Sequence, residues 1–167
     1  MKISRHYLDL YRKKRPDRLA KEDGSFTVVG NVFVHPTARV HPSAVVGPNV
    51  SLGPHVEVGE GARIKESIVL ERSVVMNHAV VMHTIVGVDA KVGDWCRVEG
   101  TPNDPNPNKP FAKMDNTPLF NPVDGKLNPS ITIVGSNVHV PAEIILLNSI
   151  VLPHKSLGHS IKNEIVL

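Results

Sequence analysis

The sequence predicts an all-β protein, a solenoid of stacked coils forming a parallel β-helix. Three observations carry this. Every sixth residue from Val34 gives Val34, Val40, Val46, Leu52, Val58, Ile64, Leu70, Met76 and Met82, all aliphatic or Met. Two residues before each sit Val32, Ala38, Ala44, Val50, Val56, Ala62, Ile68, Val74 and Val80, all small or aliphatic. Aromatics make up only 4% of a chain that is 41% hydrophobic, which suits close-stacked β-walls better than a helical bundle with large anchors. At that hydrophobic fraction, nine matches at each of two slots are beyond chance, and a strict short period is the mark of a repeat architecture.

The period has a physical meaning. Each six-residue unit supplies a short strand and a bend, with the aliphatic slot and the small slot both facing inward. Gly47, Gly53, Gly59 and Asn77 follow the aliphatic slot and are expected at the bend, where a positive φ favours Gly and Asn. Pro36, Pro42, Pro48 and Pro54 preset φ for the next unit. Three units make one triangular turn, so residues eighteen apart stack. Val34, Leu52 and Leu70 form one expected interior column, and Val46, Ile64 and Met82 another. A four-residue step follows Met82, after which Val86, Val92 and Val98 continue, with Thr84, Ala90 and Cys96 at the small slot. The pattern returns as Val134, Val140, Leu146 and Leu152, preceded by Thr132, Val138, Ile144 and Ile150. Periodicity leaves the hand open. The pattern resembles the hexapeptide repeat of left-handed β-helices, and that resemblance implies a left-handed parallel β-helix.

Residues 3–15 read as a short helix, with Ile3, Tyr7, Leu10 and Tyr11 on one stripe and Pro16 as its stop. Residues 17–27 read as a linker with a turn at Asp23-Gly24. The expected organisation is an N-terminal helix and linker, 1–27, then a β-helix domain, 28–167, interrupted by an insertion over 100–130. The insertion holds seven prolines, and Phe111, Met114, Leu119, Phe120 and Leu127 are its apolar anchors. A long loop of this kind is functional more often than idle. Proline stiffens it, and a stiff polar arm is suited to reaching a partner.

The formal net charge is +3, yet residues 1–21 alone carry eight Lys/Arg against Asp9 and Asp17, so residues 22–167 sum to −3. A nucleic-acid footprint needs a basic face on the folded body, and none is expected. The one cysteine, Cys96, allows no internal disulfide, fits a reducing compartment and reads as a buried filler. No signal-type apolar core opens the sequence. The run Ile144–Leu152 is too short to span a bilayer. A cytoplasmic protein is expected, and the Asn49-Val50-Ser51 glycosylation pattern reads as chance.

Nine histidines invite a zinc or acid–base reading. Under eighteen-residue stacking no two of them coincide: Ser73 lies above His55, Lys65 below His83 and Glu60 below His78. Zinc needs converging ligands at about 2 Å, so no metal site within the chain is expected, nor any cofactor. Gly59-Glu60-Gly61-Ala62-Arg63 looks like a nucleotidyltransferase phosphate loop but falls in the hexad register, and the Leu and Pro-Leu-Thr that complete such a loop do not come after it.

The insertion motif Glu99-Gly-Thr-Pro-Asn-Asp-Pro-Asn-Pro-Asn, with Lys113-Met-Asp and Asp124-Gly-Lys-Leu, resembles that of alpha-type subunits of the GDP-mannose pyrophosphorylase (mannose-1-phosphate guanylyltransferase) family. So do Pro141-Ala-Glu-Ile, Asn148-Ser-Ile-Val-Leu-Pro-His-Lys155, Lys162-Asn-Glu-Ile-Val-Leu167, and Tyr7-Leu-Asp-Leu-Tyr through Pro16-Asp-Arg-Leu-Ala20. The likeness covers the C-terminal β-helix part of such proteins and not their nucleotidyltransferase domain. It implies a non-catalytic regulatory and assembly module that binds and modulates the catalytic beta-type subunit and self-associates. The expected contact residues are Asp104, Asn106, Lys109, Lys113 and Asp115, with Phe111 and Met114 as anchors. His154, Lys155 and Asn163 are expected to close the end of the coil or serve assembly. The competing reading is an independent hexapeptide acyltransferase with an acyl-CoA donor and a His base in a cleft between subunits.

Overall fold

The computed structural model describes residues 1–21, 23–102 and 118–167. Short parallel strands stack into three flat faces. Face one holds Thr27–Val28, Val45–Val46, Arg63–Lys65, Val80–Met82, Arg97–Glu99, Ile145–Leu147 and Ile161–Lys162. Face two holds Val32–Val34, Val50–Leu52, Ile68–Val69, Thr84–Val86, Thr132–Val134, Ile150–Val151 and Ile165–Val166. Face three holds Arg39–Val40, Glu57–Val58, Val74–Val75, Lys91–Val92 and His139–Val140. The chain visits the faces in rotation, each strand pairs with the coils below and above, and the aliphatic interior is continuous.

The repeat is real, but its phase differs from the expectation. Val46, Leu52, Val58 and Ile64 lie inside as expected. Beyond them Val69, Val75 and Val81 are buried, not Leu70, Met76 and Met82. Leu52 pairs with Val69 and Ile64 with Val81, while Leu70 is 38% exposed. Leu152 likewise yields its slot to Val151. The coil shortens from eighteen residues to seventeen where face one turns into face two. The steps Ile64 to Val69, Val81 to Val86 and Leu146 to Val151 each span five residues instead of six. Two single-residue contractions, before Val69 and before Val86, thus look in the sequence like one double contraction after Met82.

These short corners share a device. Ser67, Thr84, Thr132 and Ser149 occupy the inward slot there and are fully buried. Ser67 Oγ donates to the Lys65 carbonyl at 2.7 Å, Thr84 Oγ1 to Met82 at 2.8 Å, Thr132 Oγ1 to Glu99 at 2.7 Å and Ser149 Oγ to Leu147 at 2.7 Å. The hydroxyls also accept amides one coil up: Thr84 N–H reaches Ser67 Oγ at 3.2 Å and Ser149 N–H reaches Thr132 Oγ1 at 3.4 Å. Buried polar groups are tolerated on this condition. The two six-residue corners at the start of the post, from Val28 to Val34 and from Val46 to Leu52, have Val32 and Val50 in the slot instead.

The positive φ also falls later than expected. Gly47 has one, but Gly53 and Gly59 do not; it occurs at Asn49, His55 and Gly61. In successive coils Glu66, Arg72, His78, His83, Asp89, Trp95, Asn137, Glu143, Asn148, His154 and Asn163 take the same left-handed conformation. Corner hydrogen bonds, repeated coil upon coil, hold side chains that would avoid this region in isolation.

The N-terminal helix, α1, spans Lys2–Lys14 and lies along face two. Its buried residue is Leu8, 2% exposed, whereas Ile3, Tyr7 and Leu10 of the expected stripe face outward. Tyr11 meets the Phe33 ring at 6.4 Å between centroids, Asn31 Nδ2 donates to Asp9 Oδ1 at 2.7 Å, and Arg5 bridges to Glu66 at 2.9 Å. The face suits a helix because its outward positions are the registered series Phe33, Ser51, Ile68, Ile85, Ile133, Ile150 and Ile165. Thirteen residues give about 20 Å of helix, roughly the rise of the four coil steps from Phe33 to Ile133. The helix therefore covers a wall. The open first coil is covered by the segment that links α1 to the first strand: the Ala20 N–H donates to the Val32 carbonyl at 2.8 Å, and Ala20 and Phe26 pack on the core.

Candidate interaction site

The insertion leaves face one after Glu99 and rejoins face two at Thr132. It therefore replaces one of the short corners whose neighbours are Glu66, His83, Asn148 and Asn163. The coil closes beneath it as though it were not there. Gly100 N–H donates to the Met82 carbonyl at 2.9 Å, Thr132 N–H to His83 at 3.2 Å and Asn148 N–H to Glu99 at 2.9 Å. A side chain at residue 100 would collide with the His83 carbonyl and the Thr132 amide, so glycine is what lets the exit strand pass so close. Thr101 N–H donates to the Ser130 carbonyl at 2.9 Å and its hydroxyl to Asn148 Oδ1 at 2.8 Å, tying both legs of the root to the next coil.

The returning leg has structure of its own. Phe120 and Leu127 form an antiparallel bridge. Asn128 N–H donates to Leu119 at 3.0 Å and Asn121 N–H to Lys126 at 2.8 Å. The turn is held by Val123 N–H to Asn121 Oδ1 at 2.9 Å and Lys126 N–H to Asp124 Oδ1 at 3.0 Å. Leu127, 2% exposed, is the anchor, and its N–H reaches the Asn163 carbonyl at 2.9 Å. Leu119, Phe120 and Val123 instead stand in solvent, Val123 at 92% exposure. The arm residues Asp104, Asn106, Lys109, Phe111, Lys113, Met114 and Asp115 lie outside the described residues.

Of the three terminal residues, Asn163 serves the insertion root through Leu127. His154 is an exposed corner whose N–H donates to the Ser136 carbonyl at 2.9 Å, and the carbonyl of half-buried Lys155 accepts the His139 amide at 2.8 Å. Sequence reasoning missed Thr101, Asn148 and His83 as root contacts. Between the start of α1 and the root lies a cleft of about 450 Å³, lined by Met1, Lys2, Arg5, His83, Ser130 and Ile131 among others.

Among the described residues no three His, Cys, Asp or Glu side chains converge to hold a metal. Seventeen-residue coils set His55 beside Arg72, His78 beside Gly61 and His83 beside Glu66, correcting the partners expected from eighteen-residue stacking. Burial pushes the Cys96 thiol above its ordinary range, and its S–H donates to the Pro141 carbonyl at 2.8 Å. The Asp89 carboxyl is held below its ordinary range by two hydrogen bonds from Arg72. Among the described residues no helix is long and apolar enough to cross a membrane.

Fold and insertion together define a hexapeptide-repeat parallel β-helix whose distinguishing part is a rooted arm. The chain belongs to the family described as the GMPPB C-terminal domain, which matches residues 28–166. It is 68% identical over 173 residues to the mannose-1-phosphate guanylyltransferase regulatory subunit alpha of Drosophila melanogaster, and 59% identical over 165 residues to the mannose-1-phosphate guanyltransferase alpha-A of Xenopus laevis. Each alignment covers 98% of this chain and 39% of the relative, so the chain spans about two-fifths of the length of the curated relatives it matches. Among solved structures, a histidine-to-alanine mutant of GDP-perosamine N-acetyltransferase from Caulobacter crescentus aligns over 96% of this chain and 59% of its own, with a TM-score of 0.57 and 16% identity. That likeness shows the fold alone.

Proposed function

We propose that this chain is a non-catalytic regulatory and assembly module of a mannose-1-phosphate guanylyltransferase complex in GDP-mannose synthesis. It binds the catalytic beta-type subunit through the insertion and modulates its turnover in the cytoplasm. Residues 1–27 are the strap and residues 28–167 the post, with 100–130 the arm mounted on it. The observation that supports this most is the root. The coil closes its hydrogen bonds beneath the insertion, so the arm is a graft on an intact scaffold, which is the construction expected of a contact device. The relatives' name, regulatory subunit alpha, supports the same reading. His154 and Lys155, on the terminal coil, fit contacts within the assembly.

The test is light scattering after size-exclusion chromatography of this chain with a beta-type subunit, with GDP-mannose formation assayed in the shared peak. A shared peak with altered turnover, both lost when residues 101–130 are deleted, is the expected result. Binding and turnover unchanged by the deletion would overturn the arm's role. A homotrimer that binds coenzyme A and ignores the beta-type subunit would support the acyltransferase reading instead.

A further inference from the structure

We propose that the corner carrying Trp95 is a self-association surface that receives the basic segment Arg12–Arg18 of a second copy of this chain. Trp95 is the only tryptophan, and it is 64% exposed. It sits at a left-handed corner, φ 59°, with its ring stacked on His78 at 4.3 Å between centroids and 26° between planes. One coil below, Gly61 leaves the space that the His78 ring occupies; a side chain there would collide with it. A large aromatic is thus held in solvent in one orientation. Such a ring loses little entropy on binding, and pre-ordered aromatic anchors dominate interface energies.

The surroundings select the partner's charge. Exposed Glu60 and Glu143 flank the stack: the Glu60 carbonyl accepts the His78 amide, and the Glu143 amide donates to the Asp94 carbonyl at 2.9 Å. Asp94 itself accepts the Asn77 amide at 3.0 Å. Of the neighbouring cations, Arg97 is held by Glu99 at 2.7 Å, while exposed Arg63 and Lys91 stand on the adjoining strands of faces one and three. An aromatic ring among carboxylates recognises an ammonium or guanidinium. This chain carries the complement. Arg12, Lys13, Lys14, Arg15 and Arg18 are all exposed, Arg15 being paired with Asp17, the one acid among them, at 3.0 Å, while residues 22–167 carry net negative charge.

The two surfaces cannot meet within one molecule. The basic segment ends a helix that lies on face two, whereas Trp95 marks the corner between faces three and one, the side of the triangle opposite. The contact is therefore head to tail, between unlike patches. It lies away from the insertion and does not depend on the proposed partner contact there.

Sedimentation velocity over a concentration series tests this, with Trp95 fluorescence followed in parallel. We expect concentration-dependent association that shifts Trp95 emission and weakens as salt is raised. Trp95→Ala should weaken it about tenfold or more, and so should Lys13→Glu with Lys14→Glu. Circular dichroism and the urea midpoint confirm that each variant is folded, and Trp95→Asn, suited to the left-handed corner, is the second variant at that site. Mixing the Lys13→Glu/Lys14→Glu chain with a Glu60→Lys/Glu143→Lys chain should restore association that neither shows alone. A chain that stays monomeric throughout would overturn the proposal. So would association that survives Trp95→Ala and both charge reversals.

Discussion

A residue in the coil wall finds most of its partners seventeen or eighteen positions away, whereas one in the described part of the insertion finds most of them within ten. Val81 is registered between Ile64 below and Val98 above. In the insertion, Asn128 reaches Leu119 and Pro118, and Asn121 reaches Lys126 and Gly125. The wall is cooperative because each layer is the template for the next. The described part of the insertion is a local structure whose ties to the coil are made chiefly by Thr101 and Leu127. The contrast teaches how a post can carry an insertion: a change in the described returning leg meets few wall residues, but a change in the wall reaches the coils stacked on it.

The largest expected effect breaks the wall and spares the arm. Val81→Asp places a carboxylate where there is no solvent and no partner, and should cost about 4 kcal/mol or more, enough to unfold the chain or shift its urea midpoint drastically. Val123→Asp makes the same chemical change at the exposed insertion turn and should stay within about 0.5 kcal/mol. Equal effects in urea titration would mean that wall and insertion unfold as one unit.

Next comes the phase of the repeat. Val69→Asn should cost about 2–4 kcal/mol because it buries an amide among aliphatics, while Leu70→Asn, one residue on, should cost less than about 1 kcal/mol. The sequence reading, which put Leu70 inside, requires the opposite order. That error has a physical origin. Ile68-Val69-Leu70, Val74-Val75-Met76 and Val80-Val81-Met82 are runs in which either of two adjacent residues satisfies an aliphatic slot, so the hexad cannot report a one-residue contraction. The signal that could was polar: Glu66-Ser67-Ile68-Val69, His83-Thr84-Ile85-Val86 and Asn148-Ser149-Ile150-Val151 are one motif, and Ile131-Thr132-Ile133-Val134 completes the series on the return from the insertion. Its first spacing is seventeen, and it marks the shortened corners before Val69, Val86 and Val151, whereas the last one, from Ile161 to Val166, carries exposed Glu164 in its place. The solenoid and the place of the insertion were legible because their periodicity and its interruption are properties of the chain. The side of α1 that packs was not, because Leu8 and the stripe Ile3, Tyr7 and Leu10 are both apolar, and the choice depends on the isoleucine face it meets. The root contacts Thr101–Asn148 and Leu127–Asn163 join residues tens of positions apart with no periodic signal between them.

The hydroxyl series gives a smaller and sharper comparison. Thr132→Val keeps the shape but leaves the Glu99 carbonyl and the Ser149 amide without their hydroxyl partner, and should cost about 1–3 kcal/mol. Val32 and Val50 occupy the equivalent inward slot in the two corners that are a residue longer, so Val50→Thr adds a hydroxyl where no short corner calls for it and should not stabilise. A stabilised Val50→Thr in thermal unfolding would show that the hydroxyls are a general preference of this slot and not a consequence of the contraction.

The smallest effect lies on the surface, between coils. Arg72 holds Asp89 through two hydrogen bonds, 2.8 and 2.9 Å, across one coil step. Its carboxyl is thereby depressed below the ordinary 3.8. The native state then binds this proton less readily than the unfolded chain does. The pair's contribution is present above the unfolded carboxylate value and is lost as pH falls through the depressed native one. Both side chains are exposed, so solvent screens the pair. Asp89→Asn should lower the urea midpoint slightly at neutral pH, and the gap from the parent chain should close in strong acid and in high salt. Asparagine suits the left-handed corner as well as aspartate does, so a gap that persisted in acid would mean that Asp89 acts through packing and not through its charge.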